Sequence, residues 1–307
     1  MKRKIIICLI VLLAGSLCLM VAPVSAGIID IGTLGGAASE ARAINDSGQI
    51  VGNSQTSGGQ THAFLYVGVP GANGQMHDLG TMGRDTSSAS GINQSGQIVG
   101  TATTALGMSH AFLYTGIPGA GGQMHDLGTL GGNFSYAFGI NNYGEIVGYS
   151  EKTDIYDAFL YTGVPGAGGK MTSIGYMYIA LDINDSGQIA GTNNWYYASI
   201  YSGGVWTDLS SSVGWLGGWV QGRYTAINDY GQLAGYYRDS NDYFHAFLSS
   251  KGSITNLGTL GGNKSLALDI NNRGQIVGYS KNVADNYHAF LYNPIWSPAV
   301  VSLLLFE

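Results

Sequence analysis

Apolar residues fall in runs of four to six, separated by glycine, proline or asparagine. QIVG at Gln49–Gly52, HAFLY at His62–Tyr66 and MHDL at Met76–Leu79 are examples. Short apolar runs bounded by turn residues predict β-strands joined by tight turns. Beyond residue 26 no segment sustains a helical period, so an all-β fold is expected.

The runs recur in a fixed order. Residues 76–123 run from MHDLGTMG to HAFLYTGIPGAGGQ, and residues 124–170 repeat them at an offset of 48. The dipeptide Ile-Asn returns at Asn45, Asn93, Asn141, Asn184, Asn228 and Asn271. Three residues after each asparagine stands a glycine, from Gly48 to Gly274, and four residues later a second one, from Gly52 to Gly278. The intervals in either column are 48, 48, 43, 44 and 43 residues, which defines six units. Each unit reads as four strands: a small alternating one such as Ala41–Asn45, an Asn-x-x-Gly turn, then QIVG, HAFLY and MHDL or their equivalents. Asn at the first turn position can bond the turn backbone, and Gly supplies the positive φ.

Four short strands per 40–50 residues predict a six-bladed β-propeller of four-stranded blades, with seven blades or a β-solenoid as alternatives. The segment beyond residue 26 opens on a fourth strand, Ile28–Ile31, and the repeats end on a third, His288–Tyr292. Six complete blades therefore require the N-terminal strand to complete the last one, which also leaves no sheet edge open. The apolar stretch Ala299–Phe306 could compete for that edge.

Residues 1–26 have the form of an export signal: Lys2, Arg3 and Lys4, an apolar run from Ile5 to about Val21, then Val24-Ser25-Ala26. Cleavage after Ala26 removes Cys8 and Cys18 and moves the formal charge from −6 to −9. The expected layout is a signal peptide over 1–26, the repeats over 27–292 and a tail over 293–307. No later apolar segment is long enough to span a membrane. Only 10% of residues are charged and the balance is acidic, which argues against nucleic-acid binding. A hydrophobic share of 45% with 20 Tyr excludes a disordered chain. A secreted or surface-associated monomer is expected.

The repeated HAFLY, DLGTLGG and IN-x-x-GQIVG segments resemble the extracellular HAF repeat family. His62-Ala63-Phe64, His110-Ala111-Phe112, His245-Ala246-Phe247 and His288-Ala289-Phe290 carry the tripeptide. The resemblance covers about residues 28–292. It implies bacterial export and, in many members, a C-terminal Pro-Glu-Pro sorting signal. Here Asn-Pro-Ile-Trp-Ser-Pro and a short apolar tail ending at Glu307 follow Tyr292. The resemblance implies no established activity.

Chemical motifs are few. There is no HExxH and no G-x-S-x-G elbow. Gly166-Ala-Gly-Gly-Lys170 is followed by Met171, where a phosphate loop needs Ser or Thr. The six histidines occupy repeat positions, which suggests strand-end bonds to a neighbouring blade rather than a metal site. No cofactor is expected. Calcium is the one metal that an acidic exported chain leaves open, although INDSGQ lacks the alternating ligands of a calcium loop.

Departures from the repeat are better site candidates. The position before Ile-Asn is small in four units, at Ala43, Gly91, Gly139 and Ala226, but is Asp182 and Asp269 in the fourth and sixth. If the first strand is innermost, these carboxylates face the axis, as an acid–base pair or cation site, or simply as polar groups in a wet channel. Units 4 and 5 are the most diverged. Four of the five Trp lie between 195 and 219, and ten of the 20 Tyr between 176 and 243. Trp195, Tyr196, Trp215 and Trp219 suit recognition of a polysaccharide or peptide, unless these rings only fill space between blades. The expected function is a non-enzymatic binding or matrix module. The alternative is a polysaccharide hydrolase or lyase acting at the axis through Asp182 and Asp269.

Overall fold

Each Asn-x-x-Gly segment folds into a tight turn for local reasons. In the first, Gly48 N donates to Asn45 O at 2.9 Å, while Asn45 Oδ1 accepts from Ser47 N and Gln49 N at 3.1 and 3.0 Å. Gly48 has φ +79°, and the described members of its column lie between +72° and +79°. A side chain would strain that conformation. The computed structural model describes residues 27–294 except 154, 177, 193–197, 209–225, 229–231, 240, 242 and 251–252. The expected leader over 1–26 and the tail from 295 onward lie outside the described residues.

The described chain is all β-strand and turn. Unit 1 comprises Gly35–Ile44, Ile50–Thr56, Thr61–Val67 and Gln75–Asp78. Unit 2 comprises Gly83–Ile92, Ile98–Thr104, Ser109–Thr115 and Gln123–Asp126. Unit 3 comprises Ser135–Ile140, Ile146–Lys152, Ile155–Thr162 and Lys170–Tyr176, and unit 4 Ile179–Ile183, Ile189–Thr192, Ala198–Ser202 and Val205–Asp208. Unit 5 comprises Ala226–Ile227, Leu233–Arg238, Phe244–Ser250 and Ser253–Asn256. Unit 6 comprises Gly261–Ile270, Ile276–Asn282 and Tyr287–Asn293. Within each unit, consecutive strands pair antiparallel. Gly27–Asp30 is the fourth strand of the unit 6 sheet, with Ile28 opposite Tyr292. One parallel bridge, Thr61 to Thr86, joins the sheets of units 1 and 2.

The first strand is longer than the sequence suggests in units 1, 2 and 6. It begins at Gly35 in unit 1, not near Ala41, because the TLGG segment runs back along the second strand and pairs with Thr56. A β-bulge follows in this strand in units 1, 2, 3, 4 and 6, between Ala41 and Ala43 and at the equivalent places. Such a bulge re-aims the side chains beside it. The second glycine column has a steric origin. A Cβ on Gly52, Gly100, Gly148 or Gly278 would land on the carbonyl oxygen of Glu40, Ser88, Tyr136 or Leu266 in the facing first strand.

The core lies between successive sheets. Phe64, Phe112, Phe159 and Phe290 of the third strands are fully buried, each contributing about 1.5–3 kcal/mol. Val51 and Leu65 of unit 1 pack with Ile98 and Phe112 of unit 2. Val99 and Leu113 pack likewise on Ile146 and Phe159 of unit 3, and Val147 on Ile183 and Ile189 of unit 4. Ala234 and Ala246 of unit 5 pack with Ile276 and Phe290 of unit 6. Val277 and Leu291 of unit 6 pack with Ile50 and Phe64 of unit 1, so the two ends of the repeat array share one core. Among the described residues no helix is long and apolar enough to cross a membrane.

Candidate functional site

The Ile-Asn asparagines do more than cap turns. Asn45 Nδ2 donates to Asn93 O at 3.0 Å, Asn93 Nδ2 to Asn141 O at 3.1 Å, and Asn141 Nδ2 to Asn184 O at 3.3 Å. Asn228 Nδ2 reaches Asn271 O at 3.0 Å, and Asn271 Nδ2 reaches Asn45 O at 3.1 Å across 226 residues of chain. The next residue repeats the device, for Asn272 N donates to Asp46 Oδ1 and Asp46 N to Gln94 Oε1. These bonds hold the C-terminal ends of the first strands side by side.

Two residues before the ladder asparagines stand Asp182 and Asp269. Asp269 Oδ2 accepts from Ile44 N of unit 1 at 3.0 Å, and Oδ1 accepts from Ile270 N at 2.8 Å. Burial pushes its carboxyl up to about 7, against these two N–H donors, with the Asp182 and Asp46 carboxylates adding to the rise. Asp182 Oδ1 accepts from Ile183 N at 2.8 Å, and its carboxyl is raised mainly by burial. Asp182 is exposed, although protein atoms crowd around its carboxyl. The column is small elsewhere because the strands are close: a Cβ on Gly139 would sit 2.8 Å from Asp182 Cα. The structure thus brings the two carboxylates within electrostatic reach and ties each to backbone. Among the described residues no group of three His, Cys, Asp or Glu is placed to hold a metal.

The histidines that open the third strands bond within their own sheet, where bonds to the next unit were expected. His62 Nδ1 lies 2.8 Å from Asp78 Oδ2, His110 Nδ1 2.9 Å from Asp126 and His288 Nδ1 2.8 Å from Asp30. Each aspartate stands on the fourth strand beside the histidine's third strand and also accepts from the glycine two residues on. In unit 3 Asp157 replaces the histidine and accepts from Ser173 Oγ at 2.6 Å.

Trp195, Tyr196, Trp215 and Trp219 lie outside the described residues. Trp206 is described, and it packs. It stacks on Tyr178 with centroids 4.5 Å apart, and its Nε1 donates to Ile174 O of unit 3 at 2.7 Å. Tyr178 occupies the place, six residues before the asparagine, of the buried Ser39, Ser87, Ser135 and Ser265. Sequence reasoning passed over that serine column. Ser87 Oγ donates to Gly80 O and accepts from Ala63 N of unit 1 at 2.8 Å. Ser39 Oγ accepts from Ala289 N of unit 6 at the same distance.

Two depressions open on the sheet ends away from the asparagine turns. One, of about 330 Å³, is lined by Arg42, Asn53 and Thr61 of unit 1, by Ser and Thr residues of unit 2 that include those at 86, 88, 90, 101 and 109, and by Tyr136 and Phe138 of unit 3. The other, of about 350 Å³, shares Asn53 and Thr61 and adds Glu40, Gln55 and the unit 6 residues Tyr279 and Tyr287. Arg42 Nε and Glu40 Oε1 are 3.3 Å apart. Tyr136 stacks on Tyr149 at 4.9 Å, and Phe134, Phe138 and Tyr156 sit 5.7–6.0 Å from a ring of that pair. Tyr279 meets Tyr287 edge-on at 5.3 Å.

No protein-family model matches the sequence, and no curated protein matches it either. Among solved structures the chain is similar to the β-propeller domain of the Trilobed protease from Pyrococcus furiosus, described as having an open velcro topology. The identity is 10%, the TM-score is 0.41, and the match covers 83% of this chain and 95% of that one.

Proposed function

We propose that the chain is an exported six-bladed β-propeller of the HAF repeat type, closed by its first strand, that acts as a non-enzymatic binding module for an extracellular polysaccharide or peptide. Closure is supported by repetition of the same bonds. Unit 6 meets unit 1 through Asn271 and Ser39 as unit 1 meets unit 2 through Asn45 and Ser87. The observation that carries the binding reading is how side chains are spent. His62, His110 and His288 and the fourth-strand carboxylates that face them are committed to structural bonds, whereas positions that vary between units gather in the two depressions. A hydrolase or lyase at the axis would draw on Asp182 and Asp269, and the raised carboxyl of Asp269 suits an acid. Both of its oxygens, however, already accept backbone N–H bonds.

Glycan and peptide arrays probed with the secreted chain test this reading. Saturable binding without turnover of the bound material is expected. Absence of binding on both arrays, or cleavage of a bound glycan, would overturn it.

A further inference from the structure

Five equivalent positions on the face away from the asparagine turns change character together between neighbouring units. Unit 2 carries hydroxyls at all five: Thr86, Ser88, Ser90, Thr101 and Ser109. Unit 3 carries rings at all five: Phe134, Tyr136, Phe138, Tyr149 and Tyr156. The ladders fix the equivalence. Ser88 stands opposite Thr101 as Tyr136 stands opposite Tyr149, and Thr103 faces Ser109 as Glu151 faces Tyr156. In unit 6 Tyr279 and Tyr287 take the places of Thr101 and Ser109. Because Asn53 and Thr61 line both depressions, the surface is continuous from the rings of unit 6, across polar units 1 and 2, to the rings of unit 3.

We propose that this face of units 6, 1, 2 and 3 is a groove for an extended, uncharged oligosaccharide, whose pyranose rings stack on the aromatic ends and whose hydroxyls bond the polar middle. The inference rests on the reading of the chain as a binding module and supplies its site and ligand class. A pyranose has an apolar C–H face and a rim of hydroxyls. Flat rings answer the first, and short side chains that both donate and accept answer the second. The rings of unit 3 are half-buried and held by one another, so little freedom is lost when a ligand settles on them. Arg42 and Glu40 neutralise each other, so the middle selects for a sugar without net charge rather than a uronate. A peptide strand would extend the outer edge of a first strand such as Gly35–Ile44, which pairs only with the second strand, whereas the two depressions offer side chains.

The test is titration of the secreted chain with cellohexaose, maltohexaose, xylohexaose and chitohexaose, and with an array of uncharged peptides. Tyr136→Ser and Phe138→Ser place at these positions the residue that unit 2 carries at 88 and 90, a backbone setting known to accept it. Tyr287→Ser does the same at the unit 6 end. At least one hexasaccharide should bind, and each variant should weaken it about tenfold or more with the melting temperature kept within a few degrees of the parent. If a glycan binds equally well to all three variants but is lost in Trp195→Ala, Trp215→Ala or Trp219→Ala, this groove is wrong and the binding-module reading survives. Binding of peptides alone has the same meaning. No ligand on any arm overturns both.

Discussion

Replacing Asn93 and Asn271 separately by Asp compares an internal joint of the repeat array with the joint between its ends. Asn93 is buried, and its Nδ2 donates to Asn141 O at 3.1 Å and to Gln97 Oε1 at 2.7 Å. Asn271 repeats this arrangement, with Asn45 O at 3.1 Å and Gln275 Oε1 at 2.8 Å. The carboxylate keeps the turn bonds accepted by Oδ1 but sets an oxygen against a buried carbonyl. The glutamine amide can turn to donate, whereas the carbonyl has no such remedy. An unsatisfied buried acceptor costs about 1–3 kcal/mol, and the new buried charge adds to it, so each variant should lose about 2–4 kcal/mol at pH 7. A protonated Asp can donate again. Its folded pKa is raised above the unfolded value, so the loss should shrink as pH falls toward 4. Guanidinium unfolding followed by tryptophan fluorescence at pH 7 and pH 4.5 measures both effects. If Asn271→Asp costs less than about 1 kcal/mol while Asn93→Asp shows the full loss, the bond between the chain ends is not made in solution. If both are neutral, the ladder does not hold the strands together.

Gly100→Ala should cost more than about 2 kcal/mol, because its Cβ lands on Ser88 O. Gly96→Ala at φ +78° meets only the end of the Gln49 side chain, at an ordinary contact distance of 3.6 Å, and should cost only about 1–2 kcal/mol, so the order of the two melting temperatures is the check. Asp269 holds its proton to about pH 7 in the folded chain, against 3.8 for the free group. Its contribution is therefore full below about pH 4 and is lost as pH rises to 7, by at most about 4 kcal/mol. Denaturation midpoints at pH 4, 5.5 and 8 should show this slope in the parent and not in Asp269→Asn. Equal slopes in the two proteins would mean that Asp269 titrates normally.

The turn chemistry was legible in the sequence because it is local. Asn45 and Gly48 are three residues apart, and each bond between them forms within one hairpin. The second glycine column was equally visible, but not its cause, which is the carbonyl oxygen of a residue twelve positions earlier. The Ser39, Ser87, Ser135 and Ser265 column stood in plain view, yet its meaning depends on an Ala N–H in another unit. The histidines were assigned to the wrong partner because a strand-start His can reach either the next unit or its own fourth strand. Only the register, which places Phe64 opposite Asp78, decides. Tyr136, Tyr149 and Tyr156 lie on three strands and show no density along the chain. Density drew attention to residues 195–219, whereas pairing across the ladder assembles the ring cluster of unit 3.

Pairing of the first strand with the last unit is what would close the ring, and the proposed groove crosses that same junction between units 6 and 1. It is tested most directly by Ile28→Cys with Tyr292→Cys, in the chain that begins at Gly27 and has no other cysteine. Mild oxidation should give an intramolecular disulfide in nearly all molecules, seen as a gel shift that reductant reverses, together with a raised melting temperature. Free thiols after oxidation, or only intermolecular dimers, would show that the chain ends do not meet and would contradict the closed ring.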